Sequence, residues 1–344
     1  DVRNRQKLTG PLHSVIPGAP VAERPGATEL PIINPATEQT ISTLQEADAG
    51  EVDAAVRAAR DAFDRGPWPR LPVDDRKDIL YRIRDLMRLR SEELAHLECL
   101  NAGLPLARVR EQLGRAARNF EFFAEVASTV AGQTYTGNPG YLSYVTREPK
   151  GVGALIAPWN APLARASMRV ATCIAFGNTC VLKPSEYTPL SMLRMVELFH
   201  EAGLPPGVVN LVNGRGPVTG TALVGHPGID MVAFTGGTQT GRTIMAAAGQ
   251  HLKPCILELG GKSANIIHES AVFERALDGA LASIYANNGQ QCLAGSRILV
   301  HRPIAERFIA AFVDRARRIR RLHPDAEHAG RTRVCDRDAQ KPAL

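Results

Sequence analysis

Five short apolar segments, set along the middle of the chain and separated by helix-forming stretches, constrain the fold more than any other feature. They are Val152–Ala157, Thr179–Lys183, Val208–Val212, Met231–Thr235 and Cys255–Leu259. The stretches between them include Ser191–Ala202, Val218–Val224 and Thr240–Ala248, which read as helices. Short buried strands alternating with helices imply a parallel sheet covered on both faces, the doubly wound α/β class. Upstream, helical periodicity appears at Val52, Ala55, Val56, Ala59 and Phe63, and again at Ile79, Leu80, Ile83, Leu86 and Met87. A third helix is expected from an N-cap at Ser91, with Glu92 and Glu93 in its first turn, to a stop at Gly103. Leu106–Thr129 reads as a longer helix, and Tyr141–Arg147 as a strand leading out of this helical layer. Residues 1–30, polar and Pro-rich, read as a loose arm, and a further αβ stretch runs from Ser263 to about Leu322.

Composition removes several function classes. The 344 residues suffice for two domains, and 44% hydrophobic with 22% charged residues is ordinary for a globular protein. The net charge of +6 is spread along the chain. Its densest basic patch, Arg315–Arg321, lies on an amphipathic pattern with Ile319 and Leu322, which reads as a solvated helix face rather than a nucleic-acid surface. The six cysteines (Cys99, Cys173, Cys180, Cys255, Cys292, Cys335) form no CxxC pair, and the nine histidines form no HExxH-like set, so no metal site is expected. No secretory signal and no bilayer-length apolar run is found, and reduced thiols point to the cytoplasm.

Two glycine-rich turns fall between an expected strand and an expected helix. Gly214-Arg-Gly216-Pro-Val-Thr-Gly220 is one residue longer than the dinucleotide fingerprint. Gly236-Gly237-Thr238-Gln-Thr-Gly241 offers backbone N–H groups to a pyrophosphate or is simply a tight turn. Near the end of the alternating region, Glu258 closes an apolar run, and Cys292 follows in Asn287-Asn288-Gly289-Gln290-Gln291-Cys292. A thiolate that attacks a carbonyl, with a carboxylate that later activates water, fits this pair. A structural thiol and a strand-end carboxylate fit it as well.

Taken with Ile33-Asn34-Pro35-Ala36-Thr37, Pro158-Trp159-Asn160, Lys183-Pro184-Ser185-Glu186 and Phe234-Thr235-Gly236-Gly237, these motifs resemble, in order and spacing, those of the aldehyde dehydrogenase superfamily. The resemblance implies an NAD-binding doubly wound domain built from residues 31–130 and 149–257, after the arm at 1–30. It implies oligomerisation strands at 131–148 and a second, α/β catalytic domain from 258 to 344, incomplete here. It implies oxidation of an aldehyde to a carboxylic acid. Cys292 forms a thiohemiacetal and, after hydride transfer to the nicotinamide, a thioester; Asn160 and the Cys292 N–H stabilise the oxyanion, and Glu258 activates the hydrolytic water. Lys183 and Glu186 hold the adenosine ribose, with Ser185 between them. Ile156, Trp159, Gly216, Gly220, Phe234, Gly236, Gly237, Thr238, Gly241 and Leu259 border the cofactor. Glu186 favours NAD over NADP, because a carboxylate repels a 2′-phosphate. The partners implied are a small-molecule aldehyde and further copies of the chain as a homodimer or homotetramer, with no nucleic acid or membrane.

Three departures qualify the resemblance. Gly237 stands where the family usually has Ser, which removes a hydroxyl contact to phosphate while keeping close backbone approach. Ala161 replaces a bulky aromatic, which widens the substrate entrance; this segment and Asn-Gly-Gln-Gln-Cys look most similar to the semialdehyde dehydrogenases of aromatic-ring breakdown, such as the hydroxymuconic type. The family continues well over a hundred residues past the point matching Leu344, through a Glu-x-Phe-Gly-Pro segment that holds the nicotinamide ribose. The chain therefore reads as C-terminally truncated. That leaves a thiol esterase, using Cys292, Asn160 and Glu258 without a nicotinamide, and an inactive remnant as the alternative readings.

Overall fold

The computed structural model describes residues 11–17, 24, 26–137 and 139–319. A three-stranded sheet begins the chain, with strands β1 (Pro11–Leu12), β2 (Glu29–Ile33) and β3 (Thr40–Gln45) in the order β1-β3-β2. Four helices follow: α1 (Ala49–Asp64), α2 (Val73–Leu89), α3 (Ser91–Ala102) and α4 (Leu106–Ala127). The hairpin of β4 (Gln133–Tyr135) and β5 (Ser143–Val145) then leads into the alternating region. That region comprises β6 (Val152–Ile156), α5 (Pro162–Ala175), β7 (Thr179–Lys183), α6 (Leu190–Glu201), β8 (Val209–Leu211), α7 (Thr221–Gly225), β9 (Met231–Gly236), α8 (Thr238–Gly249) and β10 (Cys255–Leu259). A smaller unit of β11 (Ala264–Ile267), α9 (Phe273–Tyr285), β12 (Arg297–Val300) and α10 (Ala305–Arg317) ends the described chain.

The five expected strands pair in parallel in the order β10-β9-β6-β7-β8. Helices cover both faces. One core joins α2 to α6 around Trp68, Phe120 and Phe199; the other joins α1, α7 and α8 around Val56, Val232 and Ile244. The fold is therefore the doubly wound α/β class. Strands β7 and β8 are buried at every position, as continuous apolar strands should be. Strand β10 differs: among the described residues it pairs on one side only, and it alternates half-buried with exposed residues, so Ile256 is 44% exposed and Glu258 is exposed.

Local chemistry sets the helix ends. Asp48 caps α1, its Oδ1 accepting from Glu51 N at 2.9 Å. Gly103, with φ +68°, ends α3 in the left-handed conformation that favours glycine. Ser91 is not the N-cap that its sequence position suggests. It is the first helical residue, and Arg90 precedes it without a side-chain cap. The expectation of a loose arm over 1–30 is also corrected where the chain is described. Strand β1 pairs with β3, Val15 exchanges backbone hydrogen bonds with Leu211 at 2.8 Å, and Ile16 is buried. Residues 1–10 lie outside the described chain.

Within the smaller unit, Ile267, Leu277, Ala280 and Phe308 form a core between the parallel pair β11–β12 and helices α9 and α10. The other face of the pair exposes Ile266 and Leu299. On α10, Arg315 pairs with Glu274 and Asp278 of α9, in keeping with a solvated helix face; Arg320 and Arg321 of the basic patch lie outside the described residues.

One buried carboxyl ties the helical layer to the sheet. Glu98 of α3 is 1% exposed, takes a hydrogen bond from Ser191 and accepts from Leu163 N in the first turn of α5 at 3.3 and 3.4 Å. Burial outweighs these bonds and pushes its pKa from 4.5 up to about 7. The folded state thus holds this proton through a range in which the unfolded chain has lost it. The stabilisation is complete below about pH 4.5 and disappears as pH rises through about 7. At about 1.4 kcal/mol for each pH step between those two values, the loss is on the order of 3 kcal/mol. Urea titrations across this range should show Glu98→Gln with a flatter fall of stability than the parent, and parallel pH profiles for the two proteins would remove Glu98 as the cause.

Candidate active site

Strand order reverses at β6: the chain moves outward through β7 and β8, then returns to β9 on the opposite side of β6. In open parallel sheets such a reversal opens a crevice beyond the carboxyl ends of the strands. Every strand-end motif singled out in the sequence lies on that edge. Trp159 and Asn160 follow β6, Lys183 ends β7 with Ser185 and Glu186 just after it, Gly236 ends β9 with Gly237 next, and Glu258 and Leu259 end β10.

On the β7 side, Lys183 is 2% exposed. Its Nζ donates to Pro184 O at 3.0 Å, and Glu186 Oε2 stands 3.7 Å away, too far for a hydrogen bond. Burial pulls the Lys183 pKa down, against Glu186 and Glu46. Glu46 belongs to the same group: its carboxylate binds Arg215 through Nε at 2.9 Å and Nη2 at 2.6 Å, and these bonds hold it below the usual carboxylate range. Arg215 opens the first glycine-rich turn, where residues 216–220 form a π-helical turn running into α7. A Cβ on Gly216 would meet only open space, whereas Gly220 is buried with the Lys183 stem 3.7 Å from where its Cβ would lie. Ser185 Oγ accepts from Tyr187 N at 3.4 Å.

On the β9 side, Gly237 precedes α8 without a side-chain cap, and Thr238 to Thr240 are exposed, so the first N–H groups of α8 face outward. Two residues grouped with this turn are built into packing. Phe234 is 6% exposed and lies under Gly236, whose Cβ would strike its ring. Gly241 is buried, and a Cβ there would come 2.5 Å from Leu259 Cδ2, so glycine lets α8 approach β10. Ile156 packs half-buried against the same core, and Trp159 is half-buried. An open backbone turn at a helix N-terminus, beside a buried ammonium with unspent donors and a carboxylate, fits a dinucleotide.

Cys292 sits half-buried and unpaired after a turn whose Asn287, Asn288 and Gly289 all have φ between 55° and 73°. Buried amides hold that conformation. Gln112 Nε2 donates to Asn287 Oδ1 and Asn287 Nδ2 donates to Asn160 O, both at 2.7 Å; Asn288 Nδ2 donates to Gly103 O at 2.9 Å. Asn160 completes the tie by donating from Nδ2 to Gln290 O at 2.7 Å. The turn after β6 and the cysteine turn are thereby one hydrogen-bonded unit.

Helix α5 supplies two groups that sequence reasoning missed. Arg165 Nη2 donates to Cys292 Sγ at 3.9 Å, and Arg169 Nη2 lies 3.8 Å from Glu258 Oε1. Glu258 itself is open to water, with 63% of its side chain exposed. In sequence both arginines were two among many, and only the packing of α5 brings them to the cysteine and the carboxylate. The histidine spacing predicted no metal site, yet His268 and His301, which follow β11 and β12, stack at 4.7 Å. With Glu269 they form an exposed trio whose ligand atoms lie within 4.8 Å of one another. No helix among the described residues is long and apolar enough to cross a membrane.

The chain as a whole is similar to known proteins of one family. Residues 22–338 match the model of the aldehyde dehydrogenase family. The chain is 44% identical over 288 residues to 5-carboxymethyl-2-hydroxymuconate semialdehyde dehydrogenase of Escherichia coli, covering 83% of this chain and 60% of that protein. It is 41% identical over 284 residues to 2-hydroxymuconic semialdehyde dehydrogenase of Pseudomonas sp. strain CF600, covering 81% and 58%. The solved NAD+ complex of an aldehyde dehydrogenase from Bacillus cereus superposes with a TM-score of 0.92 at 40% identity, over 96% of this chain and 68% of that one. The chain thus spans about 60% of the length of the two semialdehyde dehydrogenases it matches. On the match of residues 22–338 to the family model and the likeness to these proteins, the chain belongs to the aldehyde dehydrogenase family.

Proposed function

We propose that the protein to which this chain belongs oxidises an aldehyde to a carboxylic acid with NAD, through a covalent adduct on Cys292. The observation that carries this reading is the hydrogen-bonded union of the Asn160 and Cys292 turns on the same sheet edge as Glu258. Cys292 Sγ attacks the aldehyde carbon. The Asn160 amide, one N–H of which is spent on Gln290 O, has a second N–H for the oxyanion. NAD bound at the edge supplies the two-electron oxidant. Lys183 and Glu186 would hold its adenosine end, Ser185 between them, and the Gly236–Gly237 turn with the α8 N-terminus its phosphates. Glu258, accessible to water, takes the proton of the water that releases the acid. The carboxylate of Glu186 favours NAD over NADP. Semialdehydes of aromatic-ring breakdown are the proposed substrates, on the likeness to the two semialdehyde dehydrogenases.

The domain division follows the same reading: a cofactor domain over 31–130 and 149–257, and a catalytic portion from 258. Residues 131–148 form an oligomerisation arm. Strands β4 and β5 are exposed throughout and display Tyr135, Tyr144 and Val145, with Tyr141 and Leu142 beside them. A two-stranded ribbon of this kind is marginal alone, so further copies of the chain, in a homodimer or homotetramer, are its proposed cover. A cytoplasmic setting is part of the same proposal, and the free cysteines among the described residues support it.

Two substitutions separate the chemistry from the fold. Cys292→Ala should abolish aldehyde-dependent NADH formation and ester hydrolysis while NAD binding persists in a fluorescence titration; retention of either activity would reject Cys292 as the nucleophile. Glu258→Gln should slow release of the acid by roughly 10²–10⁴-fold, the usual range for loss of a general base. A rapid-mixing trace should then show a burst of NADH before a slow steady state, whereas turnover equal to the parent assigns Glu258 to structure.

A further inference from the structure

Helix α5 brings more positive charge to the nucleophile than the described residues around it neutralise. Arg165 and Arg169 are four positions apart, so they emerge on one face of the helix. Arg165 donates to Cys292 Sγ at 3.9 Å, and among the described residues no carboxylate pairs with it. Arg169 is 17% exposed, and its one acidic neighbour among the described residues, Glu258, stays 3.8 Å away. At that separation the Arg169 Nε and Nη2 atoms are buried without a hydrogen-bond partner. Burial lowers the Arg169 pKa, Glu258 counteracts it, and Arg165 adds repulsion. Two guanidinium groups therefore face one largely exposed carboxylate, which leaves an unmatched charge at the thiol.

Sulfur is a weak acceptor, and the contact engages one of five guanidinium donors. The rest of the Arg165 fork has the planar geometry that carboxylates take up. We propose that Arg165 is a specificity-determining residue that pairs with a carboxylate on the substrate, so that the site takes short oxo-acids whose aldehyde carbon lies at Cys292 Sγ. Because Arg165 already touches the sulfur, the carboxylate is only a few bonds from the aldehyde carbon. A neutral or long-chain aldehyde would cover the guanidinium without pairing it, which costs desolvation with no return. For the aldehyde, this inference rests on the oxidation reading above; for the anion it does not.

Iodoacetate and iodoacetamide test it directly, since they deliver the same electrophilic carbon and differ in charge. The 344-residue chain is treated with each, and modification is quantified by mass spectrometry on the peptide that carries Cys292. The iodoacetate-to-iodoacetamide rate ratio should be higher in the native chain than in the urea-unfolded chain. In Arg165→Met it should fall about tenfold, the scale of one lost charge contact near a protein surface, and in Arg165→Lys it should recover in part. In a parallel NADH assay, a short oxo-acid should lose more kcat/KM than its methyl ester in Arg165→Met, mainly through KM. Equal native and unfolded ratios would overturn the proposal even if Arg165→Met failed to fold. Equal slowing of both reagents in Arg165→Met would make the arginine a partner of the thiol alone and would also overturn it. Charge-selective alkylation would support the anion site even where this chain forms no NADH from any aldehyde, so the two readings are separable.

Discussion

Strand β6 is held by β7 on one side and β9 on the other, in parallel register from Val152–Thr179 to Ile156–Lys183 and from Gly153–Met231 to Ile156–Phe234. A parallel strand buried on both flanks cannot slip without losing a full ladder of backbone bonds, so its carboxyl end is fixed in space. The chain leaves that end through Trp159 and Asn160. Reversal of strand order at β6 aligns the ends of β7 and β9 beside it. The crevice is thus a consequence of connectivity, and the strand-end side chains named for the site inherit their place from it. The amino end of β6 is fixed too: Gly151, with φ +131°, lets Asp230 accept from Val152 N at 2.7 Å while also pairing with Arg60.

The cysteine turn has no such ladder. Left-handed backbone costs most residues with a Cβ about 1–2 kcal/mol each, and Asn287 and Asn288, as asparagines, tolerate it better than most without removing the cost. A buried hydrogen bond contributes roughly 1 kcal/mol net, but leaving a buried amide unpaired costs about 1–3 kcal/mol. Bonds from Gln112 and those to Asn160 O and Gly103 O therefore offset the strain, and they do so only in this conformation. Partners of the turn come from α4, from the end of α3 and from the turn after β6, so the helical layer and the sheet together position Cys292. Such dependence explains how a small polar turn can present a thiol with a defined direction.

Much of this was legible in the sequence, and the exceptions share a cause. The five strands, the stop at Gly103 and the strand-to-helix position of the second glycine-rich turn follow from local chemistry, because short apolar runs and a left-handed glycine carry their own signal. Ser91 misled because Ser is favoured at an N-cap, yet here the first turn of α3 starts directly after α2 and leaves no extended residue in which a side chain could cap. Residues 11–16 have an unremarkable composition, and their order comes from β3 and Leu211, partners far along the chain. The exposure of β10 escaped notice because its composition matches that of the inner strands; only strand order makes it an edge. Arg165 and Arg169 could have been found as two cations at helical spacing just beyond Asn160, but nothing local distinguishes them from a solvated helix face.

The electrostatics of α5 follow from where that helix begins. Pro162 fills its first position, and Glu98, drawn toward neutrality by burial, receives the N–H of Leu163. A carboxyl that keeps its proton below about pH 7 fixes the start of the helix without placing a full negative charge beneath it. Arg165 and Arg169 lie one and two turns further on, and the counter-charge beside Arg169 is Glu258, at the end of β10 and open to solvent. Had Glu258 closed to hydrogen-bonding distance, Arg169 would be satisfied, but the carboxylate would be less free to meet water. At the observed 3.8 Å the two charges still attract, and 63% of the Glu258 side chain stays open to solvent. Incomplete pairing, which lowers stability when judged as an ion pair, is what leaves a carboxylate and a cation available at the same edge.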